Sequence, residues 1–259
     1  MTIKIDHIYK NYNLPSGQRL PALRNLTFEI SAGDFVVVLG ESGCGKSTLL
    51  NMIAGTEDVS EGEIRVDNNI IKGPDPSRSI LFQQPALLPW LNIEENIVFG
   101  CKLRGDKKNS KHVYEWIQTM GLSGFEKMYP AELSLGMAQR VCLARAMIGH
   151  PEILLLDEPF SSLDTFTRTH LQKELIDFWQ VENFTGIFVT HDIDEAILMG
   201  SRILMLGGRP GRIIDMFDID LGYPRDISHP LFIKLRTYVL KKLRQTLVGF
   251  REKTSYASG

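Results

Sequence analysis

The chain has 259 residues, of which 43% are hydrophobic and 23% charged, and its net charge is −2 at neutral pH. This length favours one large domain or a core with an inserted subdomain, and at the level of the whole chain the net charge gives no indication of a nucleic-acid-binding surface. No apolar run approaches the roughly 20 residues of a membrane helix, and the N-terminus lacks the apolar core of a signal peptide. Cys44, Cys101 and Cys142 show no metal-ligand spacing and suit a reducing compartment. We expect a cytoplasmic protein with any membrane role supplied by a partner.

The order of predicted elements indicates an α/β protein. Residues 1–73 alternate strand-like runs with turns, in the segments IKIDHIY, LTFEI, FVVVL and GEIRVD. From about residue 85 to 148 apolar residues recur three and four apart, as in EENIVFGCKL and HVYEWIQTMGL, which predicts helices. After residue 151 two strand-like segments, EILLLDEP and TGIFVTHD, flank the helical RTHLQKELIDFWQ. This alternation predicts a parallel sheet with crossover helices.

A glycine-rich octapeptide, GESGCGKS at residues 40–47, fits the phosphate-loop pattern G-x-x-x-x-G-K-[ST]. It lies between the strand DFVVVLG and the helix TLLNMIAG, so its N–H groups and a helix N-terminus are expected to face one anion. Lys46 can then reach the β- and γ-phosphates, and the Ser47 hydroxyl can ligate Mg²⁺. A turn without function would not need strand, lysine and helix together. The predicted nucleoside-triphosphate contacts are Gly40, Glu41, Ser42, Gly43, Cys44, Gly45, Lys46, Ser47 and Thr48.

A second nucleotide element is the segment ILLLDEP at residues 153–159. Asp157 follows four apolar residues, at the carboxyl end of a buried strand where open α/β sheets bind ligands. An acid there can hold Mg²⁺ through water. Beyond a metal and charge neutralisation, phosphoryl transfer to water needs a group that orients the attacking water. Glu158 can orient this water and accept its proton. Alone, an Asp-Glu pair is more often a helix cap or a surface pair, but downstream of a phosphate loop the functional interpretation is favoured.

Further motifs place the chain in a family. The segment LSLGMAQRVCLARAM at residues 133–147 resembles the signature motif of ATP-binding-cassette (ABC) proteins, usually LSGGQ before a helix carrying QR and LARA. SSLD, just after Asp157, resembles the D-loop, and VTHD places His191 where the family has its switch histidine. Gln83 in ILFQQP matches the Q-loop glutamine, and Tyr12 in KNY matches the aromatic residue that stacks on adenine. The matches run in the family's order between about residues 2 and 212.

The resemblance implies an arrangement that the residues alone do not give. Two ABC subunits associate head to tail, so Ser134 and Gly136 would contact the γ-phosphate of ATP bound to the opposite subunit. His191 would hold the γ-phosphate and position Glu158 in its own subunit, with a general-base role for His191 as the alternative. Gln83 joins the catalytic set and, with Ser47 and Asp157, the predicted Mg²⁺ ligands.

The third signature position, usually glycine, is Leu135 in this chain. A branched side chain obstructs the close backbone approach that glycine permits. Either Leu135 points away from the nucleotide and is tolerated, or it weakens a trans site, as in a heterodimer whose other subunit has an intact signature. Both interpretations stay open at this point.

The resemblance also predicts a fold and a domain division. We expect an α/β phosphate-loop ABC ATPase core with a mostly parallel sheet and flanking helices, an N-terminal antiparallel β subdomain and an inserted helical subdomain. The ATPase domain would span residues 1–215 with the helical insertion at about 86–148. Residues 216–259 would form a C-terminal helical extension.

Three local segments resemble importers of nitrate, sulfonate, taurine and bicarbonate: QQPALLPWLNIEENI, GGRPGRI, and YPRD with HPLFIKLR. We therefore expect the ATP-hydrolysing subunit of a bacterial importer for a small anion, peripheral on the cytoplasmic face of the membrane. ATP and Mg²⁺ would be its cofactors. Its partners would be a second ATPase subunit, identical or not, integral membrane permease subunits and, indirectly, a solute-binding protein, but no nucleic acid. A soluble ABC ATPase in DNA repair or translation is the alternative, and nothing in phosphate-loop kinases explains LSLGMAQR.

Two apolar segments each allow two interpretations. Residues 86–90, ALLPW, form either an exposed permease contact or a loop whose Trp90 packs the helical subdomain. The C-terminal stretch has an apolar stripe, with basic residues interspersed, that could lie on anionic lipid but is expected to pack on its own domain: Phe232, Leu235, Val239, Leu243, Leu247 and Phe250. Cys101 and Cys142 are expected in the core, and Cys44 is a candidate for reaction with thiol reagents.

Overall fold

A computed structural model describes the backbone of residues 1–255 and the side chains of residues 1–245. It contains two compact units. The first unit is Met1–Pro74 together with the chain from Trp179 onward, and the second is Asp75–Phe178.

The strands are β1 (Ile3–Asn13), β2 (Arg19–Ile30), β3 (Phe35–Gly40), β4 (Glu61–Val66), β5 (Asn69–Ile70), β6 (Arg78–Leu81), β7 (Ile153–Asp157), β8 (Thr185–Thr190), β9 (Arg202–Gly207) and β10 (Arg212–Asp218). The helices are α1 (Lys46–Ala54), α2 (Ile93–Arg104), α3 (Lys107–Ser110), α4 (Val113–Thr119), α5 (Leu135–Met147), α6 (Thr165–Glu182), α7 (Ile193–Met199) and α8 (Pro230–Ser255). A 3-10 turn, Pro130–Glu132, precedes α5.

The first unit contains an antiparallel sheet and a mostly parallel one. The antiparallel sheet has the order β2-β1-β4-β5, as the sequence predicts for the N-terminal subdomain. In the other sheet β3 lies between β8 and β9 and is parallel to both. Every residue of β3 and β8 is buried, as is typical of parallel strands covered on both faces. The fold class expected from the sequence is therefore confirmed, with β10 as an additional antiparallel edge strand beside β9.

The second unit pairs β6 and β7 in parallel and carries most of the helices. Its helix α2 begins at a capping box, in which Asn92 accepts a hydrogen bond from the Glu95 N–H and Glu95 accepts one from the Asn92 N–H. Two otherwise unpaired N–H groups at the helix start are satisfied in this way, so the boundary is fixed locally. Gly105, in the left-handed conformation, ends the helix.

The C-terminal helix α8 packs on the first unit. Phe232 and Val239 of the predicted apolar stripe are buried, and Leu235 and Leu243 are half-buried, which confirms the expected packing. Leu247 and Phe250 of the stripe lie outside the described side chains. Among the described residues, no helix combines the length and the apolar character needed to cross a bilayer.

Ionic contacts hold α8 in place. Lys242 Nζ lies 2.8 Å from Asp215 Oδ2 on β10, and the Tyr238 hydroxyl donates to the same oxygen at 2.6 Å. Arg236 Nε lies 2.8 Å from Asp194 Oδ1 on α7. The hydrogen bonds from Lys242 and Tyr238 hold the pKa of the Asp215 carboxyl below its ordinary value.

We expect Asp215→Asn to lower the unfolding temperature at neutral pH by a few degrees. A carboxyl with a depressed folded-state pKa adds stability above its unfolded pKa of about 3.9, and that stability is lost as the pH falls through the folded value. The deficit of the variant should therefore shrink in acid. Thermal unfolding between neutral and acidic pH checks this, with Asp220→Asn, an exposed carboxylate of the same region, as the matched control. A deficit that does not change with pH would contradict an ionic origin.

Candidate nucleotide-binding and hydrolysis site

The phosphate loop, Gly40–Ser47, connects β3 to α1 in the first unit. Gly45 caps α1 with φ +95°, and Gly43 has φ +80°, which is the left-handed region that glycine adopts without strain. A Cβ at Gly45 would lie 2.4 Å from Leu23 Cδ2, so packing as well as conformation requires glycine there. The strand, loop and helix predicted from the sequence are present in the predicted order.

The Lys46 side chain stabilises the loop through hydrogen bonds to the loop's own backbone. Its side chain is buried, and its Nζ donates hydrogen bonds to the Gly40 carbonyl at 2.9 Å and the Glu41 carbonyl at 3.0 Å. The positive charge is thus fixed inside the loop rather than free in solvent. Glu41, Ser42, Gly43 and Ser47 are exposed, so the loop surface beside this charge is accessible to a ligand.

The donors of this loop fit a polyphosphate. An ammonium group, backbone N–H groups and the N-terminus of the nine-residue helix α1 all favour a negatively charged ligand. The Ser47 hydroxyl, in the first turn of α1, adds an oxygen of the kind that Mg²⁺ accepts beside phosphates.

Tyr12 lies close to the loop, as its predicted contact with adenine requires. Its hydroxyl is 3.4 Å from Thr48 Oγ1 in the first turns of α1, and Lys10 Nζ lies 5.0 Å from the centroid of its ring. Lys10 is held in turn by Glu57, with Nζ and Oε1 2.5 Å apart. The half-buried ring therefore has a fixed orientation beside the phosphate loop.

The expected reactivity of Cys44 is wrong. The Cys44 side chain is buried, and burial raises the pKa of its thiol even though Lys46 acts in the opposite direction. Thiol reagents react with a thiolate that is accessible to them. Burial makes the Cys44 sulfur inaccessible, and the raised pKa disfavours its thiolate form. Cys101 and Cys142 are buried, as expected.

His191 follows directly on β8 in the first unit and is exposed. The next residue, Asp192, caps α7 by accepting hydrogen bonds from the Asp194 and Glu195 N–H groups. Thr190, at the end of β8, is hydrogen-bonded to the Glu195 carboxylate. The histidine is therefore held between a buried strand and a capped helix, with its backbone fixed on both sides.

Asp157 and Glu158 lie in the second unit, at the carboxyl end of β7. Both are half-buried. Glu158 has φ +44°, an unfavourable conformation for a residue with a side chain, and strained residues of this kind occur at functional sites. Its carbonyl accepts hydrogen bonds from the Ser161 N–H at 3.2 Å and the Ser161 hydroxyl at 3.0 Å, and these hold the strained turn.

Gln139 connects the Q-loop, the signature helix and the turn after β7 within the second unit. Its buried Nε2 donates to the Gln83 carbonyl at 3.1 Å and to the Pro159 carbonyl at 2.7 Å. The Gln83 side chain donates to Ser161 Oγ at 3.2 Å. The side-chain nitrogen of Gln83 is therefore engaged, and its oxygen is the atom suited to a metal.

The signature residues begin α5. Ser134 caps this helix and accepts a hydrogen bond from the Met137 N–H at 3.3 Å, so its hydroxyl proton remains the part suited to an anion. A Cβ at Gly136 would lie 2.9 Å from Thr167 Cγ2, which explains glycine by packing against α6. Leu135 is 41% exposed and does not contribute to the described core.

The predicted Mg²⁺ ligands supply a hydroxyl, an amide oxygen and one carboxylate, from Ser47, Gln83 and Asp157. This chemistry fits Mg²⁺, which proteins bind through one or two carboxylates together with substrate phosphates. The described residues contain no cluster of three or more His, Cys, Asp or Glu side chains, so they offer no all-protein metal cage.

Sequence reasoning missed three contributors. Gln139 lies in the LSLGMAQR segment and Ser161 in the SSLD segment, but neither motif indicates the hydrogen bonds that these residues make. Arg209, in the GGRPGRI segment, was not connected with the phosphate loop, although its guanidinium donates to the Ser42 carbonyl at 2.8 Å. The repeated arginine and glycine of that segment are the only sequence signal for this contact.

A family model described as ABC transporter matches residues 23–161, which is more than half of the chain. The chain belongs to the ABC transporter family. The family resemblance and the enzyme class predicted from the sequence, an ABC-type ATP hydrolase, are thereby confirmed, and ATP or ADP is its nucleotide.

Relatives of this ABC protein align over nearly its whole length. The aliphatic sulfonates import ATP-binding protein SsuB of Bacillus thuringiensis subsp. konkukian is 46% identical over 242 residues, which is 93% of this chain and 96% of the relative. SsuB of Bacillus subtilis is 42% identical over 243 residues, which is 94% of this chain and 93% of the relative. The dimeric structure of the ATP-binding cassette MJ0796 bound to ADP and Pi, a post-hydrolysis state, has a TM-score of 0.73 and 30% identity and covers 85% of this chain and 100% of that one.

Proposed function

We propose that this chain is the ATP-binding and hydrolysing subunit of an importer for small anions, and that aliphatic sulfonates are the class of solute. The observation that carries the proposal is the 46% identity to an aliphatic sulfonate import ATP-binding protein over 93% of the chain. The DNA-repair and translation alternative has no counterpart among the relatives named above. In this proposal residues 1–215 form the ATPase domain, with the helical insertion at about 86–148, and residues 216–259 form the extension.

ATP binding is assigned to the phosphate loop and Tyr12. Lys46 neutralises charge on the β- and γ-phosphates, the loop N–H groups bind phosphate oxygens, and the Tyr12 ring stacks on adenine. Ser47, Gln83 and Asp157 would hold Mg²⁺, which when bound neutralises charge that develops on the phosphates.

Hydrolysis is assigned to Glu158 and His191. Glu158 accepts a proton from the attacking water, and the bonds from Ser161 to its carbonyl keep the strained turn in position. His191 donates a hydrogen bond to the γ-phosphate and orients Glu158. A general-base role for His191 is the competing assignment, and the Glu158→Gln experiment below separates the two.

The active form is proposed to be a dimer in which Ser134 and Gly136 contact ATP held by the other subunit. The support is the capped N-terminus of α5, which favours an anion, together with the dimeric state of the MJ0796 cassette. The second subunit is either a copy of this chain or a different ATPase.

The permease is proposed to dock on the second unit, beside residues 86–90. Trp90 is 69% exposed, so the interpretation in which it packs the helical subdomain is wrong. Asn96 holds this loop, accepting from the Leu88 N–H at 2.8 Å and donating to the Leu88 and Leu91 carbonyls. A rigid loop that exposes a large aromatic side chain is typical of a protein contact.

A cationic cavity of about 280 Å³ in the same unit supports this assignment. Arg78, Arg104 and Arg145 line it, and no acidic side chain of the described residues does. Arg145 also donates to the Ala86 carbonyl at 2.8 Å, which connects the cavity with the exposed loop. We therefore assign to the permease a cytoplasmic helix with acidic residues. The ATPase would sit on the cytoplasmic face of the membrane, peripherally, and meet the solute-binding protein only through the permease.

The test is co-purification from membranes. A tagged chain should retain a polytopic membrane protein, and Arg104→Glu should release it without loss of ATP binding, because like charges would then meet across the interface. Lys102→Glu, the same charge change on an exposed residue of α2 outside the cavity, is the matched control and should retain the partner. Retention of ribosomes or nucleic acid in place of a membrane protein would contradict the proposed function.

A further inference from the structure

The loop between β9 and β10 lies directly against the phosphate loop in the first unit. Its Gly211 donates to the Ala22 carbonyl at 2.8 Å, and the Gly211 carbonyl accepts from the Arg24 N–H at 2.9 Å. A Cβ at Gly211 would lie 2.0 Å from the Cys44 carbonyl oxygen, so only glycine permits this approach. The loop is thus anchored to β2 on one side and touches the phosphate loop on the other.

Arg209 extends from this anchored loop to the peptide between Ser42 and Gly43. Its Nη2 donates to the Ser42 carbonyl at 2.8 Å. A Cβ at Gly43 would lie between 3.0 and 3.4 Å from three atoms of the guanidinium, so the flat group lies against Gly43. The Ser42 carbonyl and the Gly43 N–H belong to one peptide group, which is planar and trans, so they point in opposite directions. The Gly43 N–H therefore points away from Arg209.

We propose that Arg209 is a positioning residue for nucleotide binding. By fixing the Ser42 carbonyl it orients the Gly43 N–H toward the β-phosphate, and it does so without touching the nucleotide. Loop N–H groups contact the α- and β-phosphates that ATP and ADP share. Because the Gly43 N–H faces the β-phosphate, loss of Arg209 should weaken ATP and ADP equally and leave AMP, which lacks a β-phosphate, unaffected.

Equilibrium binding of ATP, ADP and AMP to the full chain tests this. Arg209→Ala should bind ATP and ADP each about fivefold more weakly, a modest loss because the bond is solvent-exposed. The KM for ATP should rise by the same factor while kcat at saturating ATP stays at the wild-type value, since bound phosphate restores the loop geometry. Arg209→Lys should recover part of the affinity, because one donor remains but the flat contact with Gly43 is lost.

Controls keep the outcomes distinct. Arg212→Ala, an exposed arginine three positions along the chain, should bind all three nucleotides like the wild type. Equal behaviour of Arg209→Ala and Arg212→Ala would overturn the proposal. A loss for ATP several-fold greater than for ADP would also overturn it, because Arg209 would then act on the γ-phosphate directly. If the alanine variant does not fold, Arg209→Met, which keeps an unbranched side chain but has no donor, gives the same comparison. The inference rests on the proposed nucleotide site, and ADP binding by the wild type tests that site separately.

Discussion

Glu158→Gln is expected to reduce ATP turnover by about 10²- to 10⁴-fold, the usual contribution of a positioned general base. The amide keeps the shape of the side chain but cannot accept a proton. The hydrogen bond from the Ser161 hydroxyl reaches the backbone carbonyl of this half-buried residue and not its side chain. The turn should therefore be preserved in the variant. Mg-ATP binding should stay near the wild-type level, because affinity is assigned to the phosphate loop.

Phosphate release and equilibrium nucleotide binding, measured on the same preparation, check this expectation. Near-wild-type hydrolysis by the glutamine variant would transfer the general-base role to His191. The slowed variant should also associate into dimers with Mg-ATP but not with ADP, because trans contacts from Ser134 stabilise only the ATP-bound pair. Sedimentation without ATP-dependent association, alone or with a partner ATPase, would count against those contacts.

Lys46→Ala is expected to weaken nucleotide binding itself, by about 10- to 100-fold. The variant loses the positive charge next to the β- and γ-phosphates. It also loses the hydrogen bonds from Nζ to the Gly40 and Glu41 carbonyls, so the loop is no longer braced from within.

Titration with a fluorescent ATP analogue measures the loss of affinity. Lys72→Ala, which removes an exposed lysine of the same unit, is the matched control and should bind like the wild type. Lys46 also holds the shape of the phosphate loop through its bonds to two carbonyls, and this loop binds the phosphates that ATP and ADP share. The affinity for ADP should therefore fall nearly as much as the affinity for ATP. Unchanged affinity for both nucleotides would remove Lys46 from the site.

The local part of the site could be predicted from the sequence because its determinants are local. The strand β3, the two left-handed glycines and the first turn of α1 follow one another between residues 35 and 49, and each has its own sequence signal. The same holds for β7 and the carboxylates that follow it. The N-terminal strands were predictable from the strand-like runs and the turns between them, whereas their antiparallel arrangement was implied by the family resemblance.

Contacts between distant residues could not be predicted in this way. Gln139 bonds to a carbonyl 56 positions away in the Q-loop, and Arg209 to one 167 positions away in the phosphate loop. Neither has a periodicity or spacing that indicates its partner. The burial of Cys44 was missed for a related reason, since a glycine-rich loop suggests exposure and only the packing against neighbouring elements shows the contrary. Trp90 is the opposite case, an aromatic side chain that the fold leaves exposed.

ATP-dependent uptake of an alkanesulfonate into vesicles containing the co-purified permease tests the central claim most directly. The solute-binding protein is supplied on the outside, and the wild-type chain and Glu158→Gln are compared with ATP enclosed. Uptake with the wild-type chain that is lost with Glu158→Gln is the predicted result. Solute accumulation that is equal with both proteins, or ATP hydrolysis by the wild-type complex without any solute uptake, would contradict the proposal that this subunit powers anion import.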